Sequence, residues 1–300
     1  MKSSFKSEPG IHRLSLPSDK ESAPDPSAHA RPESDLAKSR ILCSKGDPLL
    51  FADWEQVMFL HYVVSSEILR PLVPAPLELD LFQGNGCITL VALTMRHFRP
   101  CRLGPAACLL RPLSQQRFLN LRTYVRLGSE PGALFLWGWL SRPYRAPLPS
   151  SLFDLPYSFA SMGYEHRVDS GRFHGLVTQG TNRFAYTATA KPGVMPSPCV
   201  PHSLADFAME RYSGFFSWKH EARVFRTWHP SWMQLPTDAC IEDDSLLTSK
   251  FPWFKEAILT SSNFATGFEH VWLGRAHALA ESRMNPRQSG HVLSSFYEMP

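Results

Sequence analysis

Arg122 and Tyr124 stand two residues apart in the run Asn120-Leu121-Arg122-Thr123-Tyr124-Val125, and Tyr157 follows a proline in Leu155-Pro156-Tyr157. These residue types suit the capture of an organic acid. A guanidinium presents a planar fork that matches both oxygens of a carboxylate, and a phenol adds a neutral donor. Trp137 offers an aromatic wall beside them. Glu210, next to Arg211, is a carboxylate that could balance a buried guanidinium or exchange protons with a shifted pKa. Each residue also has a plainer role. Arg122 and Arg126 suit a solvent-facing strand, and Tyr157 suits a core position with its hydroxyl bonded to backbone. The Glu210-Arg211 pair more commonly anchors a helix to a sheet. His61 and His229 lie in apolar runs, where a lone histidine is first a core residue.

Other chemistries lack their patterns. The six cysteines, at 43, 87, 101, 108, 199 and 240, contain no Cys-x-x-Cys, and His220-Glu221 does not extend into a metalloprotease motif. No metal and no cofactor is expected. Gly-x-Ser-x-Gly, phosphate-loop and dinucleotide fingerprints are missing. A net charge of +4 without a dense basic run is a poor footprint for nucleic acid. No run approaches the roughly 18 apolar residues of a membrane span. Scattered thiols without a secretory signal point to a reducing, cytoplasmic setting.

The elements that must position these side chains are mostly strands. Residues 120–127 alternate, with Leu121, Thr123, Val125 and Leu127 on one side and Asn120, Arg122, Tyr124 and Arg126 on the other. A turn at 128–132 leads into 133–140, apolar on both faces. Trp54 to Val64, Leu77 to Phe82 and Cys87 to Phe98 also read as strands, with a tight turn at Gly84-Asn85-Gly86. Ser65 is placed to cap a short helix that stops by Pro74. Residues 99–115 and 142–149 are irregular, and 150–162 suits a short helix. Three short strands follow between 164 and 190, then a helix over 203–213 and a hairpin over 215–229. The stretch 232–248 reads as loop, and the last strand as Phe268 to Leu279. The sum is a β-dominated α+β domain over 48–279. Residues 1–45 are rich in Ser, Pro and charge and read as a disordered extension; 280–300 read as a polar tail.

The ordered set Trp54…Phe59-Leu60-His61-Tyr62, Leu72-Val73-Pro74, Asn120 to Val125, Leu155-Pro156-Tyr157, Glu210-Arg211-Tyr212 and His229-Pro230-Ser231-Trp232 resembles the YqjF-like family. That family is grouped with the acetoacetate decarboxylase-like superfamily. The resemblance implies a closed β-cone with a few short outer helices and a pocket inside, but no particular reaction. The superfamily's namesake uses a Schiff-base lysine; at the similar place this chain has Tyr157, and no lysine occurs from Gly46 to Ala190. The expectation is therefore a protein that binds a small organic acid without Schiff-base chemistry, through Arg122, Tyr124, Tyr157, Trp137 and Glu210. Two alternatives stand beside it. One is a lyase or hydratase using Arg122 and Tyr157; the other is a non-enzymatic interaction protein.

Overall fold

Runs rich in branched and aromatic residues become strands. The structure, a computed structural model, describes residues 32–45, 47–101, 115–141, 155–218 and 221–279. In chain order the strands are β1 (Leu50–Val64), β2 (Glu78–Leu79), β3 (Gly86–Pro100), β4 (Gln116–Leu127), β5 (Glu130–Leu140), β6 (Tyr157–Phe159), β7 (Ser161–Arg167) and β8 (Arg172–Gln179). They continue as β9 (Asn182–Ala190), β10 (Ser197–Pro198), β11 (Ser213–Trp218), β12 (Glu221–Trp228), β13 (Met233–Asp243), β14 (Ile258–Leu273) and β15 (His277–Ala278). The α-helices are α1 (Pro32–Cys43), α2 (Ser66–Leu69), α3 (Leu204–Met209) and α4 (Ser245–Lys250).

Strands β12, β11, β5, β4, β3, β1 and β14 are neighbours in that order, and β14 returns to β12 through Thr227↔Leu273 and Trp228↔Trp272. These strands form a ring. From β14 the sheet continues through β13, β9, β8 and β7. Side-chain alternation sorts two cores. Phe59 of β1, Val91 and Leu93 of β3 and Phe118 of β4 point into the ring. Their neighbours Leu60, Leu90, Ala92 and Leu119 point out and pack with Phe173, Phe184 and Tyr186 of the extension. Both faces of β1, β3 and β4 are thus buried, which is why their sequences are almost unbroken apolar runs. The β-dominated architecture with few short helices is the one expected.

Several local expectations need correction. The N-terminal extension was read as disordered through residue 45, yet Pro32–Cys43 is a helix. Proline at its first position, Glu33 and Asp35 in its first turn and Arg40 in its last all suit a helix. Its inward residues Ser34, Ala37 and Ile41 are buried, and Ser34 Oγ donates to the His229 carbonyl at 2.9 Å. Two of those three are small, so the apolar composition is low although the i, i+3, i+7 spacing is present. Leu77 to Phe82 pairs only at Glu78–Leu79, and positive φ falls on Gln83 and Gly84 within a Phe82↔Asn85 turn. The part of 150–162 that is described is extended, as β6 and the start of β7. The helix over 203–213 stops at Met209. The loop expected at 232–248 is β13 followed by α4, and β14 begins at Ile258 rather than Phe268. Ser65 does cap α2, accepting from the Glu67 amide. The readings of 1–31, 102–114, 142–154 and 280–300 lie outside the described residues.

Candidate functional site

The ring encloses a cavity of about 120 Å³. Strand β4 supplies its polar wall. Phe118, Asn120 and Arg122 are successive inward residues of β4 and all border it. Tyr157 enters from β6, which lies parallel to β5. A Cβ at Gly138 would stand 2.0 Å from Tyr157 Cε1, so only glycine on β5 lets that ring lie there. Burial raises the Tyr157 pKa, which keeps the phenol protonated. Trp54, His229 and Trp232 complete the aromatic end, while Val57, Val91, Leu93 and Met95 line the apolar side.

Arg122 is half-buried. One Nη donates to the Ala208 carbonyl at 2.9 Å, in the last turn of α3. The guanidinium lies 5.7 Å from the Phe59 ring centre and 5.8 Å from that of Tyr124. Among the described residues no carboxylate lies within ion-pair reach of it. Arg211 also borders the cavity but is paired with Asp80 at 2.9 Å. Asp80 is shared with Arg126, at 2.8 Å. The unbalanced charge of Arg122 is felt nearby. Burial first, and Arg122 second, press the His61 pKa down to about 3. Burial likewise holds His229 at about 4, with Arg122 lowering it further. His229 Nδ1 lies 2.7 Å from the Pro230 carbonyl and must be the protonated nitrogen, since a carbonyl only accepts. Nε2 of the neutral ring is then an acceptor.

Buried polar atoms around the cavity lack partners. Among the described residues Asn120 Oδ1, Arg122 Nε, Trp54 Nε1 and Trp232 Nε1 find no hydrogen-bond partner. Folded proteins rarely leave such atoms unsatisfied, so this grouping points to a ligand or to water.

Of the expected site residues, Arg122 and Tyr157 meet at the cavity and three others do not. Tyr124 shares the inward parity, but α3 closes that end of the ring. Its ring packs on Phe207 at 5.0 Å and its hydroxyl meets Thr89 Oγ1, which meets His61 Nδ1 at 2.9 Å. Trp137 faces outward. A bulge at Leu136 places Arg122 opposite Phe135 and Leu121 opposite Trp137. One extra residue flips every later side chain on β5, so Ala133 and Phe135 line the cavity while Trp137 and Trp139 pack outside. Glu210 is the residue after α3, not within a helix, and its carboxylate accepts from Tyr212 Oη at 2.6 Å and the Trp232 amide at 2.9 Å. It therefore holds the 210–232 corner together. Asn120, His229, Trp54 and Trp232 were not expected to line the site. Asn120 was legible from parity with Arg122; the others were visible only as members of motifs.

None of the described lysines borders the cavity. Lys250 sits 3.3 Å from the Trp137 ring centre, on the outer face, and partial burial lowers its pKa. Among the described residues no cluster of His, Cys, Asp or Glu could hold a metal ion, and no helix is long and apolar enough to cross a membrane.

A ring of strands around a cavity is the acetoacetate decarboxylase-like fold, and solved structures of that kind superpose on this chain. The enduracididine biosynthesis enzyme MppR with HEPES buffer bound gives a TM-score of 0.57 at 14% identity, covering 77% of this chain and 87% of that one. The same enzyme complexed with pyruvate gives 0.56 at 14% identity, covering 79% and 93%. An acetoacetate decarboxylase-like enzyme from Sphingomonas wittichii RW1 gives 0.54 at 13% identity, covering 77% and 93%. At these identities the likeness concerns the fold alone. The chain belongs to the DUF2071 family, described as an uncharacterized conserved protein, whose model matches residues 52–262. It is similar to the uncharacterized protein YqjF of Bacillus subtilis strain 168, 29% identical over 182 residues, 60% of this chain and 72% of that protein.

Proposed function

We propose that this protein binds a small organic acid inside the ring, with Arg122 as the carboxylate's partner and without a Schiff-base lysine. One observation carries the reading: a cavity-lining guanidinium with a free Nε and no described carboxylate to balance it. A cation in such a place is costly unless an anion joins it. The pyruvate held by the fold neighbour MppR is an acid of this class. Arg122→Met should abolish calorimetric binding of short carboxylic acids while the circular dichroism spectrum stays unchanged. Unaltered binding in that variant would remove Arg122 from the reading.

The meeting of Arg122, Tyr157 and a neutral His229 in one cavity favours a second reading, a lyase- or hydratase-type enzyme. In it Arg122 holds the acid, His229 takes a proton from the carbon beside the carboxylate, and Tyr157 gives a proton to the departing oxygen, which leaves as water; hydration runs the same transfers in reverse. Its test is deuterium exchange at that carbon, followed by proton NMR in heavy water. Exchange that persists in His229→Gln would sink it.

A further inference from the structure

We infer that the ligand is a compact monocarboxylic acid of about five to eight heavy atoms, with a branched apolar body and one neutral hydroxyl or similar group that bonds to Asn120. This rests on the acid-binding reading above and deepens it in three respects. The size follows from the volume. A buried apolar cavity of about 150 Å³ holds benzene. The 120 Å³ inside the ring therefore takes a body of that order or slightly less, with room at the polar wall for the acid group.

The charge follows from the count of unbalanced cations. Among the described residues the arginines at the cavity are Arg122 and Arg211, and Arg211 is already held by Asp80, whose other oxygen pairs with the more exposed Arg126. A second negative charge on the ligand would find no second unpaired arginine among the described residues, and neutral indole N–H groups would offset only part of its burial cost. Desolvating it there is prohibitive.

The neutral group follows from Asn120. This residue is only 8% exposed, its Oδ1 is unpartnered, and it stands one inward position from Arg122 on β4. Two residues along a strand separate the Cα atoms by about 7 Å. The long arginine side chain spans much of that gap, so one small molecule can touch both. Trp54 and Trp232 also line the cavity, and their Nε1 donors are unpartnered. Beside this polar wall, on the neighbouring strands β3 and β1, Val91, Leu93, Met95 and Val57 present only hydrocarbon, which fits a branched apolar body.

Four probes within that size test the inference by calorimetry on the full-length protein: isovalerate, 2-hydroxyisovalerate, 3-hydroxyisovalerate and methylmalonate. The better of the two hydroxy acids should bind at least about fivefold tighter than isovalerate, the worth of one buried hydrogen bond. Methylmalonate, no larger than the hydroxy acids but with a second carboxylate, should bind at least about tenfold more weakly than isovalerate. Asn120→Leu, checked for folding by circular dichroism, should erase the hydroxyl preference and keep isovalerate affinity. If that variant does not fold, the wild-type comparison decides alone. Equal binding of isovalerate and both hydroxy acids, or methylmalonate binding as tightly as isovalerate, overturns the inference and leaves the acid-binding reading standing. If none of the four binds, both fall together.

Discussion

Arg122 rests on a single backbone carbonyl and two aromatic faces, and this decides what its loss should do to the fold. Had Glu210 been its partner, removing the cation would strand a buried anion at about 3–5 kcal/mol. Glu210 instead accepts from Tyr212 and from the Trp232 amide. Arg122→Met should therefore shift the urea midpoint by the equivalent of about 1 kcal/mol or less, the worth of one hydrogen bond. A shift of 3 kcal/mol would mean that the charge is balanced within the protein. His61, His166 and His229 make a pH prediction. Burial is the leading cause of depression in all three, to about 3, about 4 and about 4. Their unfolded pKa is near 6.5. Below pH 6.5 the unfolded chain binds protons that the folded chain refuses, so stability is full above that value and falls as pH drops toward 4. Each histidine contributes up to about 1.4 kcal/mol per pH unit in that window. His166→Gln should flatten a plot of urea midpoint against pH; an unchanged slope would show that His166 already titrates normally. At this scale the sequence was informative about Arg122, because strand parity alone places it with Asn120. It was silent about Tyr124, whose shielding depends on Phe207 arriving from a helix over eighty residues away.

Elements show where periodicity stops being readable. Trp137 was expected on the cavity wall because β5 is apolar on both faces and rich in aromatics, so its pattern names no inward side; the bulge at Leu136 sets that side, with no glycine or proline at the bulge to mark it. Strand β13 was hidden differently. It contains Pro236 and pairs on one side only with the C-terminal half of β9, so its acidic outer residues look like a loop. Helix α1 was missed because small residues make its contact. Ile41 is fully buried, and Ile41→Ala should cost about 2–4 kcal/mol in chemical unfolding. Removing residues 1–45 should lower the melting temperature by several degrees for the same reason. An unchanged melting temperature after that truncation would mean that α1 merely rests on the domain. Gly138 sets a second element-scale test. Alanine there meets the Tyr157 ring at 2.0 Å, so Gly138→Ala should displace Tyr157 and weaken acid binding even where the fold survives. A crystal structure of the variant with the ring unmoved would contradict this.

At the scale of the whole molecule, the ring owes its closure to pairings that no local pattern announces. β1, β3 and β4 pair along most of their length. The hairpin β11–β12 is attached more sparingly, to β5 through Gly214↔Ala133 and Phe215↔Leu134 and to β14 through Thr227↔Leu273 and Trp228↔Trp272. A Gly274 amide bond to the Arg226 carbonyl and the packing of α1 reinforce the second seam. Local stability tracks such pairing. Amide exchange should be fastest, among the ring strands, in β11 and β12 and slowest in β1 and β3. Uniform protection around the ring would show that the seams are as firm as the long ladders.

Those two short seams also bear on how a molecule reaches the interior. If the β11–β12 hairpin is the panel that swings, ligand entry waits for the protein and not for collisions. The observed association rate would then level off as ligand concentration rises, at the opening frequency of the hairpin. Thr227 and Leu273 face each other across the seam, so cysteines at both positions could be joined by oxidation. Because both residues line the cavity, the comparison is between the two redox forms of the double-cysteine variant: oxidation should slow uptake and release by a similar factor, leave the affinity of the reduced form nearly unchanged, and be undone by a reductant.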